Sequence, residues 1–413
     1  MNKKKKPRIR FKGFTDDWEQ RKVSDVAEIC AGGTPRTGVP QYWFPKETPW
    51  LSSGEVHKKY ITFTDNMISK EGMNNSNAKM IPVNSVLIAL AGQGKTRGTV
   101  AINRIPLTTN QSIAAMIFSE DIISEFVFCN LENRYDELRM ISSGAGSRGG
   151  LNKQLVGEIE IPYASCKEQQ KIGDFFKVLN DLITLHQRKC EKLKIIKKSM
   201  LENCFPKNGQ KVPKIRFSGF TGDWEQRKLG DITESFEYGL NVAAKKYDGQ
   251  NKYLRITDID DSTHEFLKKT LTSPDTDLSQ VENYVLQEGD VLFARTGASV
   301  GKTYIYKQSD GLVYYAGFLI RARIKKDHDS KFVFQNTLTS DYDNYIRITS
   351  QRSGQPGVNA REYGEYTLMT PSLAEQQKIG KYFQNIDALI TLHQSKLEKL
   401  QKIKKSMLER MFV

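Results

Sequence analysis

Residues 168–201 read EQQKIGDFFKVLNDLITLHQRKCEKLKIIKKSML, and residues 375–408 read EQQKIGKYFQNIDALITLHQSKLEKLQKIKKSML. Aligned without gaps, 23 of these 34 positions are identical. A second repeated block reads PRIRFKGFTDDWEQRK at 7–22 and PKIRFSGFTGDWEQRK at 213–228. Self-similarity at a fixed offset indicates a repeated architecture. The chain therefore contains two copies of one unit, offset by 206 or 207 residues.

Apolar residues in the longer block recur at alternating steps of four and three, the heptad pattern of a coiled coil. Ser165 and Ser372, each followed three residues later by a glutamate (Glu168 and Glu375), fit a capping box and predict the helix starts. We predict that the two helices pack antiparallel on each other; packing of each helix on its own domain is the alternative. The predicted seam consists of Ile172, Phe176, Leu179, Ile183, His186, Cys190 and Leu193, and of Ile379, Phe383, Ile386, Ile390, His393, Leu397 and Leu400.

Polar residues also occupy regular places on these helices. His186 and His393 stand at equivalent seam positions, where a polar side chain fixes the register of a coiled coil; a catalytic or metal-binding role is the alternative. Lysines near the helix ends are predicted to form a solvated face that complements the helix dipole, with phosphate contact as the alternative. They are Lys192, Lys194, Lys197 and Lys198, and Lys399, Lys402, Lys404 and Lys405.

The regions between the repeated blocks, 23–160 and 229–369, match only in scattered places. Short apolar runs that end in glycine turns predict hairpins near 86–102 and 291–306. The predicted fold class is α+β: an internal two-fold repeat of mixed α/β domains, each followed by a long helix, with the two helices forming an antiparallel coiled coil. The expected domains are residues 1–164, 165–205, 206–371 and 372–413.

Composition narrows the class of partner. The formal net charge of +14 favours a polyanion such as nucleic acid or an anionic membrane surface. No stretch approaches the ~18 apolar residues of a membrane-spanning helix, and the basic N-terminus lacks the apolar run of a secretory signal. The five cysteines are scattered without C-x-x-C spacing, which predicts free thiols in a reducing cytoplasm and no cysteine metal site.

Two loops in each copy are rich in the side-chain types that can read DNA bases, which predicts that these loops contact DNA. Arginine and lysine hydrogen-bond to guanine, and glutamine and asparagine to adenine, in the major groove. The candidates are Gln93, Lys95, Arg97, Arg148, Asn152 and Lys153 in the first copy, and Arg295, Lys302, Arg352, Gln355, Asn359 and Arg361 in the second. An ordinary solvent loop is the alternative. The glycine spacing does not fit a phosphate-binding loop of nucleotide-binding proteins, and no methyltransferase, nuclease or metal-ligand motif is found, so no catalytic or metal-binding residue is predicted.

The order of these parts resembles the specificity subunits of Type I restriction–modification enzymes over essentially the whole chain. Trp-Glu-Gln-Arg-Lys opens each variable region, at 18–22 and 224–228, and Glu-Gln-Gln-Lys-Ile-Gly opens each helix, at 168–173 and 375–380. The resemblance implies two target-recognition domains that each read one half of a bipartite double-stranded DNA target. It also implies that the paired helices set the spacing of the two halves and dock two methyltransferase subunits.

The same resemblance implies a cytoplasmic chain with no catalysis and no cofactor of its own. The methyltransferase subunits would bind S-adenosylmethionine, and restriction subunits that join them would use ATP and Mg²⁺. No membrane partner is expected. Two other functions stay open from the residues alone, a single-chain restriction–methylation enzyme and a coiled-coil scaffold that does not bind DNA.

Overall fold

The computed structural model describes residues 6–92, 96–141, 150–207, 209–352 and 354–413. The chain divides into two compact units. The first unit comprises Met1–His186 and Lys396–Val413, and the second comprises Gln187–Ser395. Each unit therefore combines one variable region with parts of both repeated helices.

The first unit contains a mixed α/β domain. Its strands are β1 (Glu19–Lys22), β2 (Ala27–Ala31), β3 (Thr48–Leu51), β4 (Tyr60–Ile61), β5 (Asn66–Ile68), β6 (Val86–Ala89), β7 (Val100–Asn103), β8 (Thr108–Thr109), β9 (Ile113–Phe118) and β10 (Glu160–Tyr163). Its helices are α1 (Val23–Val26), α2 (Lys70–Asn74), α3 (Ser124–Asn133), α4 (Tyr135–Ile141), α5 (Lys153–Gly157) and the start of α6 (Cys166–Cys204). The strands form a five-stranded sheet in the order β2-β9-β6-β7-β4, a three-stranded sheet β5-β3-β8 and the pair β1-β10.

The second unit repeats this plan. Its strands are β11 (Glu225–Lys228), β12 (Thr233–Tyr238), β13 (Ala244–Lys246), β14 (Lys252–Leu254), β15 (Thr272–Pro274), β16 (Val291–Ala294), β17 (Thr303–Ile305), β18 (Val313–Tyr315), β19 (Leu319–Ile324) and β20 (Thr367–Thr370). Its helices are α7 (Ser330–Asn336), α8 (Ser340–Thr349), α9 (Ala360–Gly364) and most of α10 (Leu373–Met411). A four-stranded sheet, β12-β19-β16-β17, is accompanied by the pairs β13-β15, β14-β18 and β11-β20.

The two predicted hairpins are confirmed. β6 pairs antiparallel with β7, and β16 pairs antiparallel with β17. Every residue of these four strands is buried, which explains why they read as short continuous apolar runs rather than as alternating strands. These hairpins lie in the main sheet of each unit and fix where the loops that follow β6 and β16 emerge.

The long helices α6 and α10 begin and end within two residues of the predicted boundaries. The predicted role of their first glutamates in a capping box is wrong. Glu168, only 1% exposed, accepts hydrogen bonds from Arg10 Nε (2.5 Å), Arg10 Nη2 (2.8 Å) and Trp18 Nε1 (3.0 Å). In the second unit, Glu375 accepts from Arg216 Nε and Nη2, both at 2.8 Å. A buried carboxylate is better satisfied by a two-pronged guanidinium than by a single cap amide.

The repeated helices contact each other within each unit. All the predicted seam positions are buried or half-buried. In the first unit, the ring of Phe176 near the start of α6 stacks on Phe412 beyond the end of α10, with centroids 6.0 Å apart. In the second unit, Phe383 near the start of α10 stacks on Phe205 beyond the end of α6, at 6.2 Å. The start of one helix therefore meets the end of the other, so the helices run antiparallel.

The alternative packing, of each helix on its own domain, also occurs. Phe176 belongs to the same apolar core as Trp18 and Phe126 of the first α/β domain. Phe383 belongs to the core that contains Trp224 and Phe332 of the second domain. The first turns of each seam are thus shared between the partner helix and the preceding domain.

Two of the eight lysines predicted on the solvated face are instead half-buried in ion pairs. Lys404 Nζ lies 2.6 Å from Glu132 Oε2, and Lys197 Nζ lies 2.6 Å from Asp387 Oδ1. Burial tends to raise the pKa of Glu132, but the ammonium groups of Lys404 and Lys59 outweigh it, so the pKa is lowered and the carboxylate stays ionised. These lysines continue the heptad, which turns them inward; the other six are exposed.

All five cysteines are free, as predicted, and only Cys166 is exposed. Over the residues that the structure describes, no helix is both long and apolar enough to cross a membrane. The same residues contain no group of three or more histidine, cysteine or acidic side chains that could hold a metal ion.

Candidate nucleic-acid interface

The structure brings the two candidate loops of the second unit together. The loop after β16, residues 295–302, lies beside the described residues of the segment 350–361 (350–352 and 354–361), and we call these segments the second loop pair. Val358 N donates to Arg295 O at 2.9 Å, and Gly297 N donates to Pro356 O at 2.9 Å. Gly297 has a φ of +74°, a backbone conformation that glycine adopts without steric cost. Backbone hydrogen bonds therefore hold together two segments that are far apart in sequence.

Arg295 is the first residue of the second loop pair and contacts both of its segments and β12. Its guanidinium carbon is 5.0 Å from the centroid of the Tyr238 ring, a cation–π contact. The hydroxyl oxygen of Tyr238 accepts a hydrogen bond from Ala360 N at 3.2 Å. The ring thus connects the arginine to the start of α9.

The four candidates in residues 350–361, which are Arg352, Gln355, Asn359 and Arg361, are exposed. Arg352 donates to the carbonyls of Thr349 and Gln351, both at 2.9 Å, and forms an ion pair with Glu362. Asn359 caps α9 by accepting from Glu362 N at 3.0 Å. For the remaining two candidates, Gln355 and Arg361, no side-chain hydrogen bond or ion pair is found over the described residues.

Lys302 is not brought into this group. Its Nζ forms an ion pair with Asp261 and donates to Ile259 O at 3.1 Å, and its side chain is 13% exposed. The side chain therefore secures the base of the hairpin to residues 259–261. Its partner Asp261 was not identified from the sequence.

In the first unit, the described residues just after β6 and just before α5 are joined in the same way. Leu151 N donates to Leu90 O at 3.0 Å, the counterpart of the bond between Val358 and Arg295. Asn152 is exposed and caps α5 by accepting from Leu155 N at 2.8 Å. Lys153 is exposed and Arg97 is half-buried. The candidates Gln93, Lys95 and Arg148 lie outside the described residues.

Two aromatic residues at the second loop pair were not identified from the sequence. Tyr238 is 42% exposed and Phe318 is 55% exposed. Tyr238 ends β12 and Phe318 precedes β19, so each reads as part of an ordinary strand. Comparison of the two copies could have identified Tyr238. The first copy has Ala31 at the end of β2, whereas the second copy has an aromatic residue at the end of β12.

A known protein family matches both copies of the repeated unit. The model of the Type I restriction modification DNA specificity domain matches residues 15–194 and, a second time, residues 221–402. The chain belongs to this family. The two matched segments coincide with the two copies of the repeated unit, so the internal repeat found in the sequence is a repeat of the family's domain.

Curated relatives of this specificity-domain protein carry consistent names. The specificity subunit of the Type I restriction enzyme MjaIX of Methanocaldococcus jannaschii is 27% identical over 249 residues, which is 56% of this chain and 54% of that protein. The MjaVIII specificity subunit of the same organism is 20% identical over 404 residues, 95% and 91% of the two chains. The match to the MjaIX subunit thus spans about half of that relative's length.

A solved structure has the same fold as the specificity-domain chain. The crystal structure of the S subunit of a Type-I restriction-modification system from M. genitalium superposes with a TM-score of 0.65, and the match covers 99% of both chains. The sequence identity is 15%. The architecture is therefore shared although few side chains are.

Proposed function

We propose that the chain is the DNA-reading subunit of a Type I restriction–modification complex. Each unit would bind one half of a bipartite double-stranded DNA target through its loop pair, and the paired helices would set the spacing of the two halves. The observation that carries this proposal is the double match to the DNA specificity domain. It is supported by loop pairs that occupy the same place in both units but carry different side chains.

The charge of the chain suits this role. A net charge of +14 attracts the phosphate backbone, and affinity that depends on phosphate contacts falls steeply with salt. Exposed cations at the second loop pair, such as Arg361, would supply phosphate or base contacts. Arg352 is exposed as well but is paired with Glu362, so DNA would have to compete with that carboxylate.

The proposed protein partners are two methyltransferase subunits and, in the full complex, restriction subunits. Apolar side chains on the outer face of the helices offer a docking surface. Val178, Leu182 and Leu185 are 58%, 39% and 45% exposed on α6, and Leu389 and Leu392 are 45% and 47% exposed on α10. Exposed apolar groups at regular helical spacing favour a protein partner.

Chemistry would reside in those partners. We propose a chain that is not an enzyme by itself and that works in the cytoplasm. The methyltransferase subunits would bind S-adenosylmethionine, and the restriction subunits would use ATP and Mg²⁺. Methylation of host DNA then gives a direct record of the sequence that this chain reads.

Exchanging the first recognition domain is the decisive test of the proposed function. Replacing residues 23–160 by the corresponding segment of another specificity subunit should change one half of the methylated target and leave the other half and the spacing unchanged. The physical reason is that the loop pair of each unit is built from that unit's own segments. Mapping of methylated adenines in host DNA measures the outcome.

The reciprocal exchange of residues 229–369 is the matched control and should change only the other half. A change in both halves after either exchange would contradict the proposal of two independent readers. If the unaltered complex showed no DNA binding, the result would instead favour a coiled-coil scaffold that does not bind DNA.

Arg361 offers a second test, of phosphate contact. Arg361→Ala should weaken binding to target and non-target DNA by similar factors and reduce the dependence of log affinity on log salt by about one unit. Its guanidinium is exposed and has no ion-pair partner among the described residues, so the substitution removes no intramolecular bond. Titration of the assembled complex with duplex DNA at several salt concentrations measures both quantities.

Arg227→Ala is the control for Arg361, because Arg227 is an exposed arginine of the same unit that lies on β11 outside the loop pair and is paired with Glu225. It should leave affinity and salt dependence unchanged. Equal effects of the two substitutions would show that general charge, and not the loop pair, accounts for binding.

A further inference from the structure

Three side chains meet at one end of the four-stranded sheet of the second unit. Ala294 pairs with Leu319 across β16 and β19, so Arg295 and Phe318 occupy the next opposite positions. Arg295 N donates to Phe318 O at 3.0 Å. Tyr238, the last residue of β12, pairs with Ile320 of β19. Side chains at directly opposite positions of neighbouring strands lie on one face of a sheet, which places Arg295 and Phe318 side by side.

The charge of Arg295 is not neutralised within the described part of the chain. No carboxylate there lies within ion-pair distance of its guanidinium, whereas its neighbours in the sheet, Arg321 and Arg323, are both paired with Asp290. The contact with the Tyr238 ring at 5.0 Å orients Arg295 without occupying its N–H donors. A half-buried arginine with free donors and a fixed direction is suited to bind an acceptor outside the chain.

Phe318 has the opposite character. Its ring is 55% exposed and belongs to none of the apolar cores of the second unit. An exposed phenyl ring gains free energy when another apolar group covers it. The sheet end therefore presents a bidentate donor and an apolar surface next to each other.

DNA offers this combination in the major groove. Guanine presents its O6 and N7 acceptors to an arginine, and thymine presents a methyl group to an apolar side chain. Building on the proposed function, we propose that the second unit reads a guanine with Arg295 and the methyl group of an adjacent thymine with Phe318. Tyr238 is the positioning residue that directs Arg295 toward the guanine.

The first unit lacks this set of side chains. Leu90 N donates to Ser112 O at 2.8 Å, in the same way that Arg295 N donates to Phe318 O. Leucine and serine thus replace the arginine and the phenylalanine, and Ala31, the last residue of β2, replaces the tyrosine. The guanine–thymine step is consequently expected in only one half of the target.

Base analogues test the assignment on the full chain assembled with its methyltransferase subunits. Domain exchange and methylation mapping first identify the half-target of the second unit. Each guanine of that half is then replaced by 7-deazaguanine, which lacks the N7 acceptor, and each thymine by uracil, which lacks the methyl group. We expect one 7-deazaguanine to weaken binding about tenfold, and uracil beside it to weaken binding about fourfold, the effect of one buried methyl group.

Variants connect these effects to the side chains. With Arg295→Ala, the complex should no longer distinguish guanine from 7-deazaguanine at that position, and with Phe318→Ala it should no longer distinguish thymine from uracil. Tyr238→Phe keeps the ring and should keep the discrimination against 7-deazaguanine. Tyr238→Leu removes the cation–π contact and should reduce that discrimination about fivefold. Affinity for non-target DNA should stay unchanged, a pattern that a loss of folding does not produce.

The proposal is overturned if the half-target contains no guanine next to a thymine, or if Arg295→Ala leaves the effect of 7-deazaguanine intact. In either case the complex would still recognise a bipartite sequence, and the proposed function would stand. Equal discrimination by the Tyr238→Leu and Tyr238→Phe variants would overturn the positioning role of Tyr238. An unaltered complex without any sequence preference would overturn the proposed function itself.

Discussion

Replacing Phe412 by alanine should destabilise the first unit by about 3–5 kcal/mol, the cost of removing a buried phenylalanine side chain. Phe412 is 8% exposed, and its ring centroid lies 5.2 Å from Phe126, 6.0 Å from Phe176 and 6.4 Å from Trp18. All three neighbours belong to the first unit. A substitution at the end of the last helix is therefore expected to loosen the domain formed by the first part of the chain.

Hydrogen exchange measures this effect unit by unit. Peptides from β6 and β9 should lose protection in Phe412→Ala, and peptides from β16 and β19 should not. Phe205→Ala is the matched control, because Phe205 packs on Phe332 at 5.3 Å and on Phe383 at 6.2 Å in the second unit. It should give the reverse pattern. Equal loss of protection in both units after Phe412→Ala would contradict the assignment of Phe412 to the first core.

Arg10→Ala should be similarly costly, about 3–5 kcal/mol, because it leaves the carboxylate of Glu168 buried without a countercharge. Glu168 is 1% exposed, and after the substitution Trp18 Nε1 is the one remaining donor among the contacts described above. The free energy of unfolding of the first unit, measured by urea denaturation with exchange of β6 and β9 peptides, gives the magnitude.

Adding Glu168→Gln to Arg10→Ala should recover part of the lost stability, since a neutral amide does not need the guanidinium. Arg21→Ala is the control, because the pair that Arg21 forms with Glu19 is exposed (39% and 65%) and is expected to contribute at most about 1 kcal/mol. If Arg10→Ala reduced the free energy of unfolding no more than Arg21→Ala, the prediction would be wrong. The pair of Arg10 with Glu168 would then not anchor the N-terminal segment to the start of α6.

The elements of this fold were predictable wherever their signal is local. The heptad positions in 168–201 and 375–408 depend only on neighbouring turns of one helix, and so their burial follows from the sequence. The buried hairpin strands were equally visible as apolar runs. Glu168 was misassigned because its capping partners are close in sequence, whereas its real partner, Arg10, is 158 residues away. Nothing in a short window distinguishes the two.

The candidate interface was predictable as two loops, but not as one surface. The hydrogen bond from Val358 to Arg295 joins segments that are separated by a stretch containing α7 and α8. A sequence pattern predicts local structure and does not show which distant segments pair. Lys302 read as a free cation because Asp261, its partner, lies on a distant loop. Tyr238 was missed for a related reason, since its importance depends on the arginine above its ring.

The contacts of Leu408, Met411 and Phe412 with the first core also determine the order in which the two units can complete their folding. During translation the N-terminal part of a chain leaves the ribosome first, and domains generally fold as they emerge. The second unit is one continuous stretch, Gln187–Ser395, but the first unit needs Lys396–Val413 as well. The apolar surface around Ile172 and Phe176 therefore stays uncovered until Leu408, Met411 and Phe412 have been synthesised. The unit whose synthesis starts first is the last to be completed.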